Sequence, residues 1–147
     1  AILESERLAR RELQTATVDI EGETGEVKYP QLDMGEPDQM FDGDPYTLVR
    51  TLETDPAVIE ITFTSPHPMA GVSIIIGSTQ ADITAQVYTP GEEEPKTFRQ
   101  TLQGTIDNPE VFLPFNETLS AEKLRLAIDD IHQEEPAHIH IWEIIFH

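Results

Sequence analysis

An oxygen-rich segment runs from Asp42 to Thr47, with the sequence Asp-Gly-Asp-Pro-Tyr-Thr. A glycine and a proline this close together predict a tight turn rather than a strand. Such a turn can direct carboxylate, hydroxyl and backbone carbonyl oxygens to one point, and these are the ligands that Ca²⁺ prefers. The spacing differs from an EF-hand loop, because Tyr46 and Thr47 stand where that loop has an acidic residue and a glycine. The segment therefore predicts either a plain turn or a site for a hard cation.

Two histidines form a second candidate site near the end of the chain. His138 and His140 are separated by one residue in a predicted strand, so both side chains lie on the same face. A zinc ion bound there would need a third ligand, for which the candidates are Glu134, Glu135 and His147. The alternative is a pair of partly exposed imidazoles that bind no metal.

The sequence contains no recognisable catalytic motif. It has no cysteine, which excludes thiol catalysis and disulfides, and it has neither Gly-x-Ser-x-Gly nor a phosphate-binding glycine loop. Its 28 Asp+Glu residues supply carboxylate pairs everywhere, so a pair of acids is no evidence for a glycosidase. We therefore predict a protein without catalytic activity.

The composition restricts the partners. The 147 residues include 9 Lys+Arg against 28 Asp+Glu, a formal net charge of −19 with a pI near 4.3. Such a charge disfavours nucleic acid and anionic membrane surfaces, because both are recognised through clustered Lys and Arg. The longest strongly apolar run, Val72 to Ile76, is far shorter than the ~20 residues of a membrane span. We expect no membrane insertion by this segment.

The elements that must position these residues fall into two parts. Residues 1–14 contain neither Gly nor Pro and carry Glu4/Arg7 and Glu6/Arg10 at helical spacing, which predicts a short helical lead-in or linker. Its alternative role is a partner-binding or juxtamembrane helix. Because the first residue is alanine, we expect an upstream segment in a longer protein.

The remainder, residues 15–147, has the texture of an all-β domain. Thr, Val and Ile dominate, Pro and Gly interrupt at short intervals, and apolar residues alternate with polar ones through 57–63. This pattern predicts an antiparallel β-sandwich of the jelly-roll type. The predicted strands are residues 16–21, 57–64, 71–76, 83–89, 96–102, 110–114, 123–128 and 139–146.

Five segments in this order carry a resemblance to a known family. They are residues 41–47, 56–63, 69–74, 121–128 and the closing 140–146 with its Trp-Glu pair. Together they resemble a coagulation-factor type C (discoidin) domain. That family belongs to the galactose-binding-like superfamily, which includes many bacterial carbohydrate-binding modules.

The resemblance covers most of the β domain and implies a function. It implies a non-catalytic module that binds carbohydrate or another cell-surface ligand within a larger, extracytoplasmic bacterial protein. The alternative is a structural accessory or protein–protein interaction domain that packs on a neighbouring domain and binds no sugar.

The resemblance also implies one structural calcium ion that joins the first loop to the last strand. Its ligands would be the Phe41 carbonyl, the Asp44 carboxylate, the Thr47 hydroxyl and carbonyl, the Trp142 carbonyl and the Glu143 carboxylate. Asp42 would cap the turn instead. Since the two groups lie roughly 100 residues apart, a shared ion would close a long loop. The alternatives for Glu143 are a charge on an edge strand or a buried acid paired with an arginine.

Two departures from the family pattern leave the sugar-binding residues unassigned. Leu48 and Val49 follow Thr47, where many members have Arg-Trp. The single tryptophan, Trp142, is expected in the core rather than as a stacking platform. The remaining candidates for sugar contact are Tyr29, Tyr46, Tyr88 and His132.

Overall fold

The computed structural model describes residues 13–44, 46–51, 57–77, 80–131 and 140–147. The predicted helical lead-in falls almost wholly on residues 1–12, outside the described residues. His132 and His138 also lie outside them.

Ten antiparallel strands and one 3₁₀ helix make up the described chain. In order they are β1 (Gln14–Ile20), β2 (Glu23–Tyr29), β3 (Leu32–Met34), the 3₁₀ helix (Pro37–Met40), β4 (Val49–Thr51), β5 (Ala57–Ile75), β6 (Gln80–Tyr88), β7 (Lys96–Gln103), β8 (Glu110–Asp130), β9 (His140–Ile141) and β10 (Glu143–Phe146). The main sheet has the order β1-β2-β5-β8-β6-β7, with β10 also paired to β5. The order of the small sheet is β3-β4-β9. No helix among these residues is long and apolar enough to cross a membrane.

The central pair, β5 and β8, corrects the predicted strand boundaries. We expected two strands within each, but each is continuous, with register shifts between Thr62 and His67 and between Met69 and Gly71. Pro66 and Pro68 read as loop residues in the sequence, yet proline is accommodated where a strand bulges. The shifts allow both strands to bend and continue.

The two halves of β5 pair with different strands, in agreement with the predicted jelly-roll sandwich. The first half of β5 pairs with β2, and the second half pairs with β10. The second half of β8, residues 123–130, pairs with β6. Buried side chains from both halves of β5 and β8 belong to one hydrophobic core. Fully buried members such as Ile59, Ile74, Leu124 and Leu126 each contribute about 1.5–3 kcal/mol by burial. The all-β fold class is confirmed.

Three strands were absent from the prediction. β3 and β4 are three residues long, and β2 buries only Gly25 and Val27 while its other side chains face outward or are half-buried. β2 follows β1 through a two-residue turn in which Glu21 has φ 52° and Gly22 has φ 87°. The predicted strand 139–146 is also divided, since Trp142 separates β9 from β10.

Candidate functional site

The small sheet brings the loop before β4 close to the last strands of the chain. β4 pairs with β9 through Val49–Ile141 and Arg50–His140, so the loop that precedes β4 lies beside the start of β10. At that junction the backbone N–H of Gly43 donates a 2.8 Å hydrogen bond to Glu143 Oε2, across 100 positions of sequence. The acidic turn and the terminal Trp-Glu pair are therefore neighbours, as the resemblance implied.

The loop is held in shape by its own carboxylates. Asp42 Oδ1 accepts the Asp44 N–H at 2.9 Å, and Asp44 Oδ1 accepts the Tyr46 N–H at 2.9 Å. Gly43 between them has φ 77°, a left-handed conformation that glycine adopts without a Cβ penalty. The Thr47 N–H closes the turn on the Asp44 carbonyl at 3.4 Å. The expected capping role of Asp42 is confirmed.

Glu143 is the least usual group at this junction. Glu143 is 5% exposed. Its Oε1 atom is buried and accepts no hydrogen bond from any described residue. Burial raises the pKa of Glu143 to about 7, and the charges of Asp42 and Asp44 act in the same direction. The Gly43 N–H opposes this shift because it stabilises the carboxylate. The side chain is thus a buried acid that the protein only half satisfies.

The described arginines pair with acids other than Glu143. Arg50 pairs with Asp33 at 2.7 Å, Arg99 with Asp82 at 3.0 Å, and Arg125 with Glu60 at 3.7 Å. The alternative of an arginine-paired Glu143 is therefore not supported among the described residues. A carboxylate oxygen without a donor, next to other acidic oxygens, has the chemistry of a hard-cation ligand.

Two residues of the predicted calcium set meet at this junction: Asp44 in the turn, and Glu143, which accepts the Gly43 N–H. The Thr47 N–H donates to the Asp44 carbonyl, Phe41 lines the same groove as Glu143, and Trp142 directly precedes Glu143. The described residues include no cluster of three or more His, Cys, Asp or Glu side chains that could hold a metal. The predicted set has only two carboxylates, and its other ligands are backbone and hydroxyl oxygens.

Trp142 occupies a packing position, although it is only half-buried. Its ring lies over Gly77, where an added Cβ would be 2.9 Å from the ring, and edge-on to His140 with centroids 5.7 Å apart. The backbone N–H of Trp142 donates to the Ile75 carbonyl at 2.9 Å, which ties this residue to β5. The backbone of Trp142 thus connects the β9–β10 junction to the end of β5, and its ring packs on Gly77 just beyond that strand.

The zinc hypothesis stays a prediction because His138 lies outside the described residues. Of the other proposed ligands, His147 is engaged elsewhere, with its Nε2 2.7 Å from Ser73 Oγ and its ring edge-on to Phe112. His140 contacts Trp142.

The sugar-contact candidates from the sequence are scattered. Tyr46 is 89% exposed on the acidic loop, Tyr29 packs against the core, and Tyr88 lies under Lys123 with 4.9 Å between the ammonium and the ring centroid. None of these three lines the groove next to Glu143.

That groove has a volume of about 550 Å³ and lies between the β1–β2 turn, the acidic loop and β10. Its apolar lining comes from Ile20, Phe41, Ile75, Ile144, Ile145 and Phe146. Phe41 and Phe146 are stacked there with ring centroids 6.3 Å apart. Its charged lining comes from Glu21, Asp42, Glu110 and Glu143. A second groove of about 680 Å³ shares Glu21, Phe41 and Asp42 and continues along β1 and the 3₁₀ helix.

Sequence reasoning missed Glu21, Glu110 and Phe146 as site residues. The Glu21-Gly22 pair carried one signal, since a glycine after a predicted strand marks a turn. Nothing in the sequence indicated that this turn meets the start of β8 and the end of β10.

Comparison with solved structures agrees with the fold. The CBM32 module of AlyQ, solved in complex with 4,5-unsaturated mannuronic acid, matches with a TM-score of 0.63 and 14% identity over 90% of this chain and 98% of that chain. The chitosan-binding module 1 of a chitosanase/glucanase from Paenibacillus sp. matches with a TM-score of 0.56 and 18% identity over 92% of this chain and 95% of that chain. The predicted jelly-roll fold is confirmed.

A Ruminococcus gnavus GH29 fucosidase solved in complex with fucose also matches, with a TM-score of 0.66 and 13% identity over 84% of this chain. This chain spans 25% of that enzyme's length. No protein-family model and no curated protein sequence matches the chain.

Proposed function

We propose that this domain is a non-catalytic carbohydrate-binding module, and that its ligand site is the groove between the β1–β2 turn, the acidic loop and β10. The observation that carries the proposal is the composition of the groove. Isoleucine and phenylalanine side chains form its apolar surface, and carboxylates stand around them. A sugar ring presents apolar C–H faces and polar hydroxyl edges, so it needs both kinds of surface.

The groove has the size of a ligand site. Its volume of about 550 Å³ lies within the range of roughly 300–1,000 Å³ that small-molecule sites occupy. The adjoining groove would extend the surface for an oligosaccharide. The fold shared with carbohydrate-binding modules supports this proposal, since one of those modules binds chitosan and another was solved with 4,5-unsaturated mannuronic acid.

The test is calorimetric titration with a panel of mono- and oligosaccharides, with Phe146→Ala as the variant and Phe112→Ala as the control. Phe112 is 45% exposed and lies outside the groove, so its removal takes away a similar side chain at another place. We expect Phe146→Ala to lose affinity at least tenfold while Phe112→Ala binds normally. Thermal melting of both variants reports whether they are folded. No binding across the panel would contradict the proposal and favour the accessory-domain role.

We also propose that one structural Ca²⁺ binds at the junction of the acidic loop and β10. The supporting observation is the buried Glu143 Oε1 that accepts no hydrogen bond from a described residue, next to Asp42 and Asp44. The ligands would be Asp44, Glu143, the Thr47 hydroxyl and the carbonyls of Phe41, Thr47 and Trp142. The ion would neutralise the acids and join the loop to the last strand.

Melting with and without chelator tests the calcium proposal. An ion at a hundred times its Kd adds about 2.7 kcal/mol to the free energy of unfolding. We expect EDTA to lower the Tm of the wild-type domain but not that of Asp44→Ala. An unchanged wild-type Tm would contradict the proposal.

We also propose that the domain lies outside the cytoplasm, as part of a bacterial protein. An extracytoplasmic position on a bacterial protein suits a calcium-bound sugar-binding module, because extracellular modules bind Ca²⁺ with Kd values of roughly 10⁻⁴–10⁻³ M. Protease digestion of intact producing cells would test it. Cleavage of the domain without lysis is expected, and protection until lysis would contradict it.

A further inference from the structure

The main sheet ends in a long strand with one open edge. β7 pairs with β6 along its whole length without a bulge, and no described residue forms a strand on its other side. Only Phe98 and Leu102 are half-buried, and the other side chains of β7 are exposed. The backbone N–H and C=O groups on the open side are therefore available to a further strand.

The other outer strands of the two sheets are protected in ways that natural proteins use. β1, at the opposite end of the main sheet, lies beside the 3₁₀ helix and lines a groove with it. β3, β4, β9 and β10 have four residues or fewer, and short strands are poor templates for pairing. β7 has eight residues and no proline. In the part of the chain that the structure describes, it is the long edge that remains open.

The two cations of β7 are held by acids of the same chain. Arg99 pairs with Asp82 at 3.0 Å, and Lys96 pairs with Glu117 at 3.1 Å. Charges on an edge strand discourage pairing, but these ion pairs offset them in part. β7 contains no acidic residue, although the chain carries a formal charge of −19. A second acidic chain therefore meets less repulsion at this edge than it meets on average over the surface.

Symmetry restricts how β7 can pair with a second copy of itself. Side chains directly opposite each other in an antiparallel pair point to the same face of the sheet. A two-fold axis perpendicular to the sheet must therefore place one residue opposite its own copy. The longest overlaps centre on Arg99 or on Gln100. An axis at Arg99 places two guanidinium groups opposite each other, whereas an axis at Gln100 places two neutral amides there and pairs residues 97–103.

The register centred on Gln100 also matches the flanking side chains. Phe98 lies opposite Leu102 of the partner subunit, and both belong to the face that packs against the core. Phe98 is held in place by Phe115, with ring centroids 4.7 Å apart. Arg99 lies opposite Thr101 of the partner subunit, so no charged side chain of β7 meets a like charge across the axis.

We propose that the open edge of β7 binds a second copy of this domain, in an antiparallel pairing centred on Gln100. The main sheets of the two copies then form one continuous sheet across the two-fold axis. This interface goes beyond the proposed function and does not depend on it, since no residue of β7 lines the groove beside β10. A dimer presents two such grooves, and two linked sites raise the apparent affinity for a polymeric ligand.

Sedimentation equilibrium measures the association. Salt at about 0.5 M screens the repulsion between two chains of charge −19. We expect the wild type to pass from monomer to dimer between about 1 μM and 1 mM. Gln100→Glu places two carboxylates opposite each other, so its dissociation constant should rise at least tenfold. Gln14→Glu makes the same exchange at an exposed position of β1, and it should dimerise as the wild type does.

Cysteine substitution tests the register. The chain contains no cysteine, so an introduced thiol reports a single position. In Gln100→Cys the two Cα atoms lie about 4.5–5.5 Å apart across the axis, which is within the range of a disulfide. In Thr97→Cys the two residues are about 20 Å apart along the strands. With oxidised glutathione, we expect a covalent dimer of Gln100→Cys on a non-reducing gel and a monomer of Thr97→Cys.

Three results would overturn the inference. They are a wild type that stays monomeric at about 1 mM, a dissociation constant that Gln100→Glu leaves unchanged, and cross-linking of Thr97→Cys equal to that of Gln100→Cys. Gln100 and Thr97 are exposed, so the variants should fold, and melting curves check this. None of these results bears on sugar binding, because the groove and β7 share no residue.

Discussion

Replacement of Glu143 by glutamine should have opposite effects on stability with and without calcium. Without calcium, the pKa of Glu143 is about 7 in the folded protein and 4.5 in a model peptide. The folded state therefore holds this proton more tightly than the unfolded state does. The resulting stabilisation is fully present below about pH 4.5 and is lost as the pH rises through about 7. A difference of 2.5 pKa units corresponds to about 3 kcal/mol.

Glu143→Gln avoids that loss because the amide carries no charge, and its oxygen can still accept the Gly43 N–H. In EDTA near pH 8, above the pKa of about 7, we expect the variant to be more stable than the wild type by about 2–3 kcal/mol. For a domain of this size the difference corresponds to a Tm increase of about 4–12 °C. Near pH 4.5, the ordinary pKa of a glutamate side chain, the two proteins should melt together.

Saturating calcium should make the wild type more stable than Glu143→Gln near pH 8. The wild type gains about 4.1 kcal/mol at a thousand times the Kd, which exceeds the variant's advantage of about 2–3 kcal/mol in EDTA, whereas the variant has lost a ligand and gains little. Melting curves followed by circular dichroism measure all three conditions, and Glu122→Gln controls for the loss of one acid. The reasoning is refuted if Glu143→Gln is less stable than the wild type in EDTA near pH 8. Equal stabilisation of both proteins by calcium would refute the metal assignment.

Three further predictions follow from the packing and from the position of the groove. Gly77→Ala should lower the free energy of unfolding by about 1–3 kcal/mol, because its φ is 78° and the new Cβ would lie 2.9 Å from the Trp142 ring. Gly91→Ala has a similar φ of 81° but open space, so urea denaturation should show a smaller loss. Leu126→Ala in the core should cost about 2–5 kcal/mol in the same assay. Equal losses in the two glycine variants, or a neutral Leu126→Ala, would contradict the packing. EDTA should weaken sugar binding, because the acidic loop forms one wall of the groove. Unchanged affinity in calorimetry would show that sugar binding does not depend on the proposed calcium site.

The β class was predictable because it depends on local patterning. The alternation through 57–63 is matched by burial of Ala57, Ile59, Ile61 and Phe63 on one face of β5. The continuity of β5 through Pro66 and Pro68 was not predictable, since a proline in a bulge and a proline in a loop look alike in sequence.

The site was predictable only in part. The contact between the acidic loop and Glu143 could be expected from the family resemblance, because its residues are marked by motifs. The groove depends on tertiary placement of ordinary residues: Glu21 in a turn, Glu110 at the start of a strand and Phe146 near the end of the chain. None of these has a motif, and their acidic and apolar types are common throughout the sequence.

Anomalous scattering from crystals of the domain grown with calcium tests the central claim most directly. The claim is that the first loop and the last strand form one cation-binding junction beside the groove. We expect a difference peak within coordination distance of both the Asp44 carboxylate and Glu143 Oε1. The claim is contradicted if that position shows no peak and a protein donor binds Glu143 Oε1 instead.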